Sequence, residues 1–184
     1  WEIVVFEDEA LNAFALPGNK IGVYTGLIRL VDNQDQLAAV IGHEVGHVLA
    51  RHSNERLSQE TAVNGSLSMI QAVTQPQTTT GQTALGLLGL GAQYGVILPF
   101  SRTHESEADM IGLDLMAKAG FDPKQSVNLW LKMEKASQGG QPIEFMSTHP
   151  SHGSRIDNLN QHMSKALQLQ QKAHAAGKQP HCVK

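Results

Sequence analysis

Two histidines four residues apart, with a glutamate directly after the first, stand at His43-Glu44-Val45-Gly46-His47. On a helix, positions i and i+4 lie one turn apart on one face. Both imidazoles can then hold one metal ion, and the glutamate between them can reach a water bound to it. This is the chemistry of metal-assisted hydrolysis, with the glutamate as general base. A catalytic zinc takes three protein ligands and keeps one position open, so a third ligand must come from elsewhere. In Ser101-Arg102-Thr103-His104-Glu105-Ser106-Glu107-Ala108-Asp109 a helix opens on which Glu105 and Asp109 share a face. Glu105 is the best candidate: one carboxylate can bind metal while the other accepts a hydrogen bond from the outer ring nitrogen of a ligating histidine. By spacing alone, Glu105 reads equally as an ordinary acidic helix start.

The elements that must position these groups are legible around them. Asp32 or Asn33 can cap a helix whose first turn holds Asp35, and Leu37, Val40, Ile41, Val45, Val48 and Leu49 recur at helical spacing. That helix is apolar on most sides, which predicts burial, and it is expected to run on past Arg51 to about Glu60. Gly42 and Gly46 each cost about 1 kcal/mol of helix propensity; two of them beside the histidines imply close approach of another backbone or of substrate. Upstream, Trp1–Phe6 reads as a strand. Asn12–Leu16 and Ile21–Thr25 flank a Pro-Gly-Asn turn and predict a hairpin. Downstream, Gly120 ends the Glu105 helix, Asp122-Pro123 starts another, and a last helix spans about Ser154 to Ala176. The expectation is an α+β class: one mainly helical domain over residues 1–176 with a small antiparallel sheet before the histidine helix, and a frayed tail over 177–184.

Residues 61–101 contain no Asp, Glu, Lys, Arg or His. The first half is rich in Ser, Thr and Gln and predicts a mobile polar loop. The second half, from Ala84 to Phe100, predicts a buried core helix. A sharper reading makes the segment a lid, or a surface that touches membrane or unfolded polypeptide; the run is at the short edge for a membrane span.

Composition bounds the rest. The net charge of −3 gives no basic footprint, which argues against nucleic-acid binding. A single cysteine, Cys182, leaves the redox compartment unreadable. The chain enters strand-like sequence at Trp1 without Met or signal peptide, which reads as a processed or trimmed fragment of a longer precursor. His149, stiffened by Pro150, is either a surface residue or a positioned group. Arg155 is either solvated at a helix start, or it stabilises an oxyanion or holds a site carboxylate.

The pattern of His43-Glu44-x-x-His47 followed by Glu105-x-x-Ala108-Asp109 resembles the gluzincin family that includes HtpX and the CAAX prenyl endopeptidase. Asn12-Ala13-Phe14-Ala15-Leu16-Pro17-Gly18, Thr25-Gly26-Leu27, Ser101-Arg102 and Ser147-Thr148-His149-Pro150 with Arg155 resemble that family's blocks, in its order. With no convincing transmembrane helix, the chain is most similar to the soluble periplasmic branch, the BepA, LoiP and YcaL type. The resemblance implies a zincin-like fold and one zinc ion per chain on His43, His47 and Glu105. It implies Glu44 as general base and Asp109 as the partner of a ligating histidine, His43. It also brings the 141–153 loop to the zinc. His149 there could take the open position and leave the enzyme latent, or face the substrate. The strand at Asn12, Ala13 and Phe14 looks like the edge on which an extended substrate is laid, or is an ordinary edge strand.

The implied function is a zinc metalloendopeptidase acting on unfolded or misassembled cell-envelope proteins. It would work in the bacterial periplasm, with peripheral contact to membrane or outer-membrane assembly proteins and anchoring through a missing N-terminal segment. Oligomeric state is not readable. The alternative is a zinc-stabilised chaperone or assembly scaffold that binds extended polypeptide without cutting; retention of Glu44 argues against it, since a pure binder needs no base. A non-proteolytic metal hydrolase is a second rival.

Overall fold

Asn33 starts the helix that carries the two histidines. Its side chain accepts the Gln36 N–H at 3.0 Å, and Asp35 lies in the first turn, where negative charge suits the helix dipole. The helix, α2, spans Gln34–Leu49 in a computed structural model that describes residues 1–16, 18–137, 143–149 and 153–182, without the side chains of residues 94, 96 and 98–100. Two compact units are present, Trp1–Ala50 with Glu105–Lys184, and Arg51–His104.

In the first unit, β1 (Glu2–Phe6), β2 (Ala13–Leu16) and β3 (Lys20–Tyr24) form a sheet of order β1-β3-β2. The expected hairpin is there: β2 and β3 are antiparallel, with Phe14 opposite Gly22. Its Pro17 lies outside the described residues. The sheet is mixed rather than purely antiparallel, because β1 pairs with β3 in parallel. The most buried strand takes the centre: Ile21, Gly22 and Val23 of β3 are buried, while every residue of β1 is exposed. Gly22 is required by packing: a Cβ there would fall 2.4 Å from the Phe14 ring. After β3 come α1 (Thr25–Leu30) and α2. The remaining helices are α5 (Leu98–Ala119, from Glu105 onward in this unit), α6 (Lys124–Ser137), α7 (Glu144–Thr148) and α8 (Ser154–Ala175), numbered to leave α3 and α4 for the second unit. Gly120, at φ +99°, ends α5, and Asp122 accepts the Lys124 N–H at 3.0 Å to start α6, as the sequence indicates. Leu27, Val40, Leu113, Leu129, Met133 and Phe145 centre the core. The tail is tied down as far as Cys182: the Gln34 side chain donates to the Pro180 carbonyl and accepts the Cys182 N–H.

Contact between α2 and α5 sets the site. A Cβ on Gly42 would meet the Gly112 carbonyl at 2.8 Å, one on Gly46 the Ala108 carbonyl at 2.8 Å, and one on Gly112 the His43 nitrogen at 2.7 Å. The paired glycines of α2 therefore serve the close backbone approach that their cost implied. A Gly→Ala change in an open helix gains up to about 1 kcal/mol. Gly112→Ala should instead lose about 1–3 kcal/mol through overpacking, whereas Gly86→Ala, in open space, should not. Thermal unfolding of the two variants reads the sign; equal stabilisation in both would show that the helices tolerate a wider crossing.

In the second unit, α2 does not run on to Glu60. Arg51 adopts a left-handed conformation, φ 58°, and a separate helix, α3, covers His52–Thr74. The expected polar loop is thus helical through Thr74. Thr78 then caps α4 (Thr79–Ala92) by accepting the Gly81 N–H at 3.1 Å, and a π-helical turn, Gln93–Ile97, leads into α5. No α4 residue is buried, which overturns the expectation of a core helix. Among the described residues, no helix is long and apolar enough to cross a membrane. His52 and His104 stack with ring centroids 4.3 Å apart.

Candidate metal centre

The crossing of α2 and α5 brings Glu105 and Asp109 against the two histidines of α2. Glu105 sits in the second turn of α5 rather than at its start, because the helix begins at Leu98. Asp109, one turn on, lies 3.0 Å from His43 Nδ1. Burial raises the Asp109 pKa, but hydrogen bonds from His43 and Arg155 outweigh it and hold the carboxyl below its ordinary range. An ionised carboxylate only accepts, so His43 Nδ1 donates to it. Neutral His43 then presents the Nε2 lone pair to the cluster.

His43 Nε2 lies 3.0 Å from His47 Nε2 and 3.3 Å from a Glu105 oxygen, and His47 Nε2 lies 3.3 Å from the other Glu105 oxygen. Two donors each about 2.0–2.1 Å from one tetrahedral zinc lie roughly 3.3 Å apart. The spacings therefore fit one ion, and so does the two-imidazole, one-carboxylate donor set. His149 joins the same cluster: its Nδ1 is 3.2 Å from His43 Nε2 and 3.2 Å from both Glu105 oxygens. His43, His47, Glu105 and His149 are the group that could hold a metal among the described residues.

The charges follow from this crowding. Burial disfavours the charged form of His43, yet hydrogen bonds to Asp109 and Glu105 prevail and push its pKa up to about 9. Burial brings His47 down to about 4 against the pull of Glu105. Burial also opposes ionisation of Glu105, but hydrogen bonds from His149, His43 and His47 hold its carboxyl far below the ordinary range. The cluster is a preformed anion surrounded by imidazoles, and a cation entering it must displace a proton from His43.

Glu44 is 2% exposed, and burial pushes its pKa up. Its Oε1 is buried and accepts no hydrogen bond from the described residues, with His149 Nε2 at 3.3 Å. An orphaned acceptor beside the ligand cluster is positioned to take a proton.

Arg155, 1% exposed at the start of α8, is not solvated. Its Nε and Nη2 donate to the two Asp109 oxygens at 2.6 and 2.7 Å; Nη1 donates to the His149 carbonyl at 3.3 Å and lies 3.2 Å from Glu105. Of the two readings of a buried arginine, it takes the one in which site carboxylates are held. Sequence reasoning missed two supports. The Trp130 ring lies 3.6 Å beneath the Arg155 guanidinium, and the Phe145 ring packs on His149 with centroids 4.5 Å apart. Phe145 is also fixed to the chain before β2, its N–H donating to the Leu11 carbonyl. Both residues read as ordinary apolar positions, and no spacing signal marks them.

β2 is an edge of the sheet, since β3 lies on its other side. Tyr24 N–H donates to the Asn12 carbonyl. By the alternation of an antiparallel ladder, the main-chain groups of Ala13 and Ala15 then point away from β3, and the Ala15 backbone hydrogen-bonds to Glu44. Phe14 turns its ring over Gly22 towards Phe6 and Tyr24. Asn12 is buried, and its Oδ1 accepts no hydrogen bond from the described residues.

A mainly helical α+β domain with a paired-histidine helix, a carboxylate from a crossing helix at ligand distance from both histidines and a buried glutamate between them has the build of a metallopeptidase. The model of Peptidase family M48 matches residues 1–163, and the chain belongs to that family. It is 40% identical over 167 residues to mitochondrial metalloendopeptidase OMA1 of Schizosaccharomyces pombe, covering 90% of this chain and 48% of that one. It is 34% identical over 178 residues to human mitochondrial metalloendopeptidase OMA1, with 93% and 34% covered. It is 33% identical over 159 residues to the Beta-barrel assembly-enhancing protease of Escherichia coli K12, with 83% and 32% covered. The chain spans about half the length, or less, of these relatives.

Proposed function

We propose that this chain is the catalytic part of a zinc-dependent endopeptidase that hydrolyses peptide bonds of unfolded or misassembled cell-envelope proteins. The observation that carries the reading is the convergence of His43, His47 and Glu105 at the spacing of one ion's ligands, beside a buried Glu44 whose Oε1 lacks a hydrogen-bond donor among the described residues. Zinc is favoured over harder cations by the two imidazoles; when bound, it would polarise the scissile carbonyl and acidify a water. Glu44 takes the proton of the attacking water and returns it to the leaving amide nitrogen, a relay suited by a carboxyl whose pKa burial has raised. Asp109 fixes the ring of His43, and Arg155 holds Asp109 and Glu105, so neither needs to touch substrate. The edge of β2, through the main chain of Ala13 between Asn12 and Phe14, offers pairing to an extended peptide; such recognition is tolerant of sequence and requires unfolded substrate. The periplasmic setting rests on the family resemblance read in the sequence, and the contact with an assembly machinery on the Escherichia coli relative's name, which speaks of β-barrel assembly; the OMA1 relatives are mitochondrial.

His149 acts as a latch in this reading. One ring bridges the ligand cluster through Nδ1 and lies beside Glu44 through Nε2, where the nucleophile must stand. The test is cleavage of a fluorescently labelled unfolded protein by the zinc-loaded chain, with and without chelator. Zinc-dependent cleavage is expected, raised about tenfold or more in His149→Ala. A slower His149→Ala enzyme would make His149 a participant in the reaction and end the latch. Silence of both zinc-bound proteins would favour the binding scaffold. Residues 138–142 and 150–152 of the loop around His149 lie outside the described residues.

A further inference from the structure

The catalytic reading makes no use of the Arg51–His104 unit, yet the buried side chains of that unit stand at its two ends. Among its described residues, His52 and His104 are buried, at 4% and 7% exposure, and none of the others is. Their rings stack, with centroids 4.3 Å apart and planes 16° from parallel. The left-handed turn at Arg51, φ 58°, separates α2 from α3 and makes His52 the first residue of α3. Glu55, one turn on, shares the face of His52, and its Oε2 lies 3.2 Å from His104 Nε2. One helical turn thus presents both a ring face and a carboxylate to His104.

We propose that His52 and His104 form a clasp that positions Glu105 for the metal; the proposal rests on the ligand set assigned above. His104 and Glu105 are consecutive on α5, so any unwinding or rotation of the helix at His104 moves the Glu105 carboxylate. That carboxylate has little latitude: its oxygens stand 3.3 Å from His43 Nε2 and 3.3 Å from His47 Nε2. The chain leading up to it is otherwise open. It arrives through a π-helical turn, Gln93–Ile97, and Ser101, Arg102 and Thr103 are not buried. Filling space alone would call for apolar side chains at positions 52 and 104. Two facing flat rings meet a demand for orientation instead. An imidazole has only two side-chain torsions, so stacking a pair of them fixes both backbones at small entropic cost. His52 stands where the chain has just left α2, and His104 where it returns with Glu105. The clasp therefore secures the third ligand whatever lies between. Neither ring needs to touch metal or substrate; both are positioning residues.

The experiment compares the whole chain with His52→Ala and His52→Phe by two readouts. One is amide hydrogen exchange over residues 101–109 without metal; the other is zinc affinity, measured by competition with a chelator. Far-UV circular dichroism verifies the helices, and if His52→Ala loses helicity, His52→Leu, which keeps apolar bulk without a flat ring, takes its place. His52→Ala should exchange faster around Glu105, with exchange over residues 40–47 of α2 unchanged. Its zinc affinity should fall about tenfold, the lower end for loss of a group that orients a ligand. His52→Phe restores a stacking face without the imidazole nitrogens and should stay within about twofold of wild type in zinc affinity. The clasp is overturned by an alanine variant that matches wild type in exchange around Glu105 or in zinc affinity. It is equally overturned by His52→Phe as weak as His52→Ala, which would assign the effect to a polar contact of His52 and not to the stack. A wild type that binds no zinc would end the reading of the metal centre, and the exchange measured without metal would still decide the clasp.

Discussion

Zinc-loaded Glu44→Gln is expected to keep its metal and to lose cleavage of unfolded protein by a factor of about 10²–10⁴. Gln matches Glu in size and leaves His43, His47 and Glu105 untouched, so metal stoichiometry and the thermal midpoint of the loaded protein should hold. What is lost is a proton acceptor. The Oε1 of Glu44 is buried and lacks a hydrogen-bond donor among the described residues, and removing His149, whose Nε2 lies 3.3 Å away, leaves it as the base beside the cluster. The base must be ionised, so activity should fall as pH drops through the Glu44 pKa; burial raises that pKa in the metal-free chain, and a bound dication would lower it. Background His149→Ala makes the comparison readable if the latch silences the wild type. Cleavage by Glu44→Gln within about tenfold of its parent would remove Glu44 from the reaction.

Arg155→Met should produce the largest loss of stability among substitutions at the site. The guanidinium neutralises Asp109 through two hydrogen bonds and approaches Glu105 at 3.2 Å, while resting on Trp130. Removing one partner of a buried ionic cluster costs about 3–5 kcal/mol, because the remaining charge stays desolvated. In a chain of this size that corresponds to a fall in Tm of roughly 10 °C, measured with chelator present so that metal binding does not mask it. Adding Asp109→Asn should recover part of the loss, since it removes the stranded charge. A loss under about 1 kcal/mol would mean that the Arg155 cluster relaxes into solvent, and the positioning role would fall.

The parts of this molecule that could be read in the sequence are those that obey a local rule. The i, i+4 spacing put both histidines on one face, Asn33 announced its cap, and the expense of Gly42 and Gly46 was traced to the backbone of Gly112 and Ala108. Glu105 and Asp109 shared a face whether or not their helix began where expected. Parallel pairing of β1 with β3 has no local signature, because partners such as Glu2 and Lys20 meet only after the chain has crossed to β2 and returned. The stop at Arg51 eluded sequence analysis because a left-handed arginine looks like any other arginine. The helix over 61–74 was hidden by composition: Ser and Thr lower helix propensity without forbidding it, and an exposed helix lacks the one-sided burial that produces a periodic pattern; from Ala84 a helix was expected, but not its exposure. Arg155 was legible as a candidate but not in its role, which depends on Trp130 and on two carboxylates from another helix.

The two ligand-bearing helices are separated in the chain by an entire second unit, inserted between the end of α2 and Glu105. Loop-closure cost grows only with the logarithm of length, about 0.6 kcal/mol per doubling. The glycine-lined crossing of α2 and α5 therefore constrains the endpoints of that excursion far more than its content. The intervening segment can thus vary in length and sequence at small cost to the crossing that brings His43, His47 and Glu105 together.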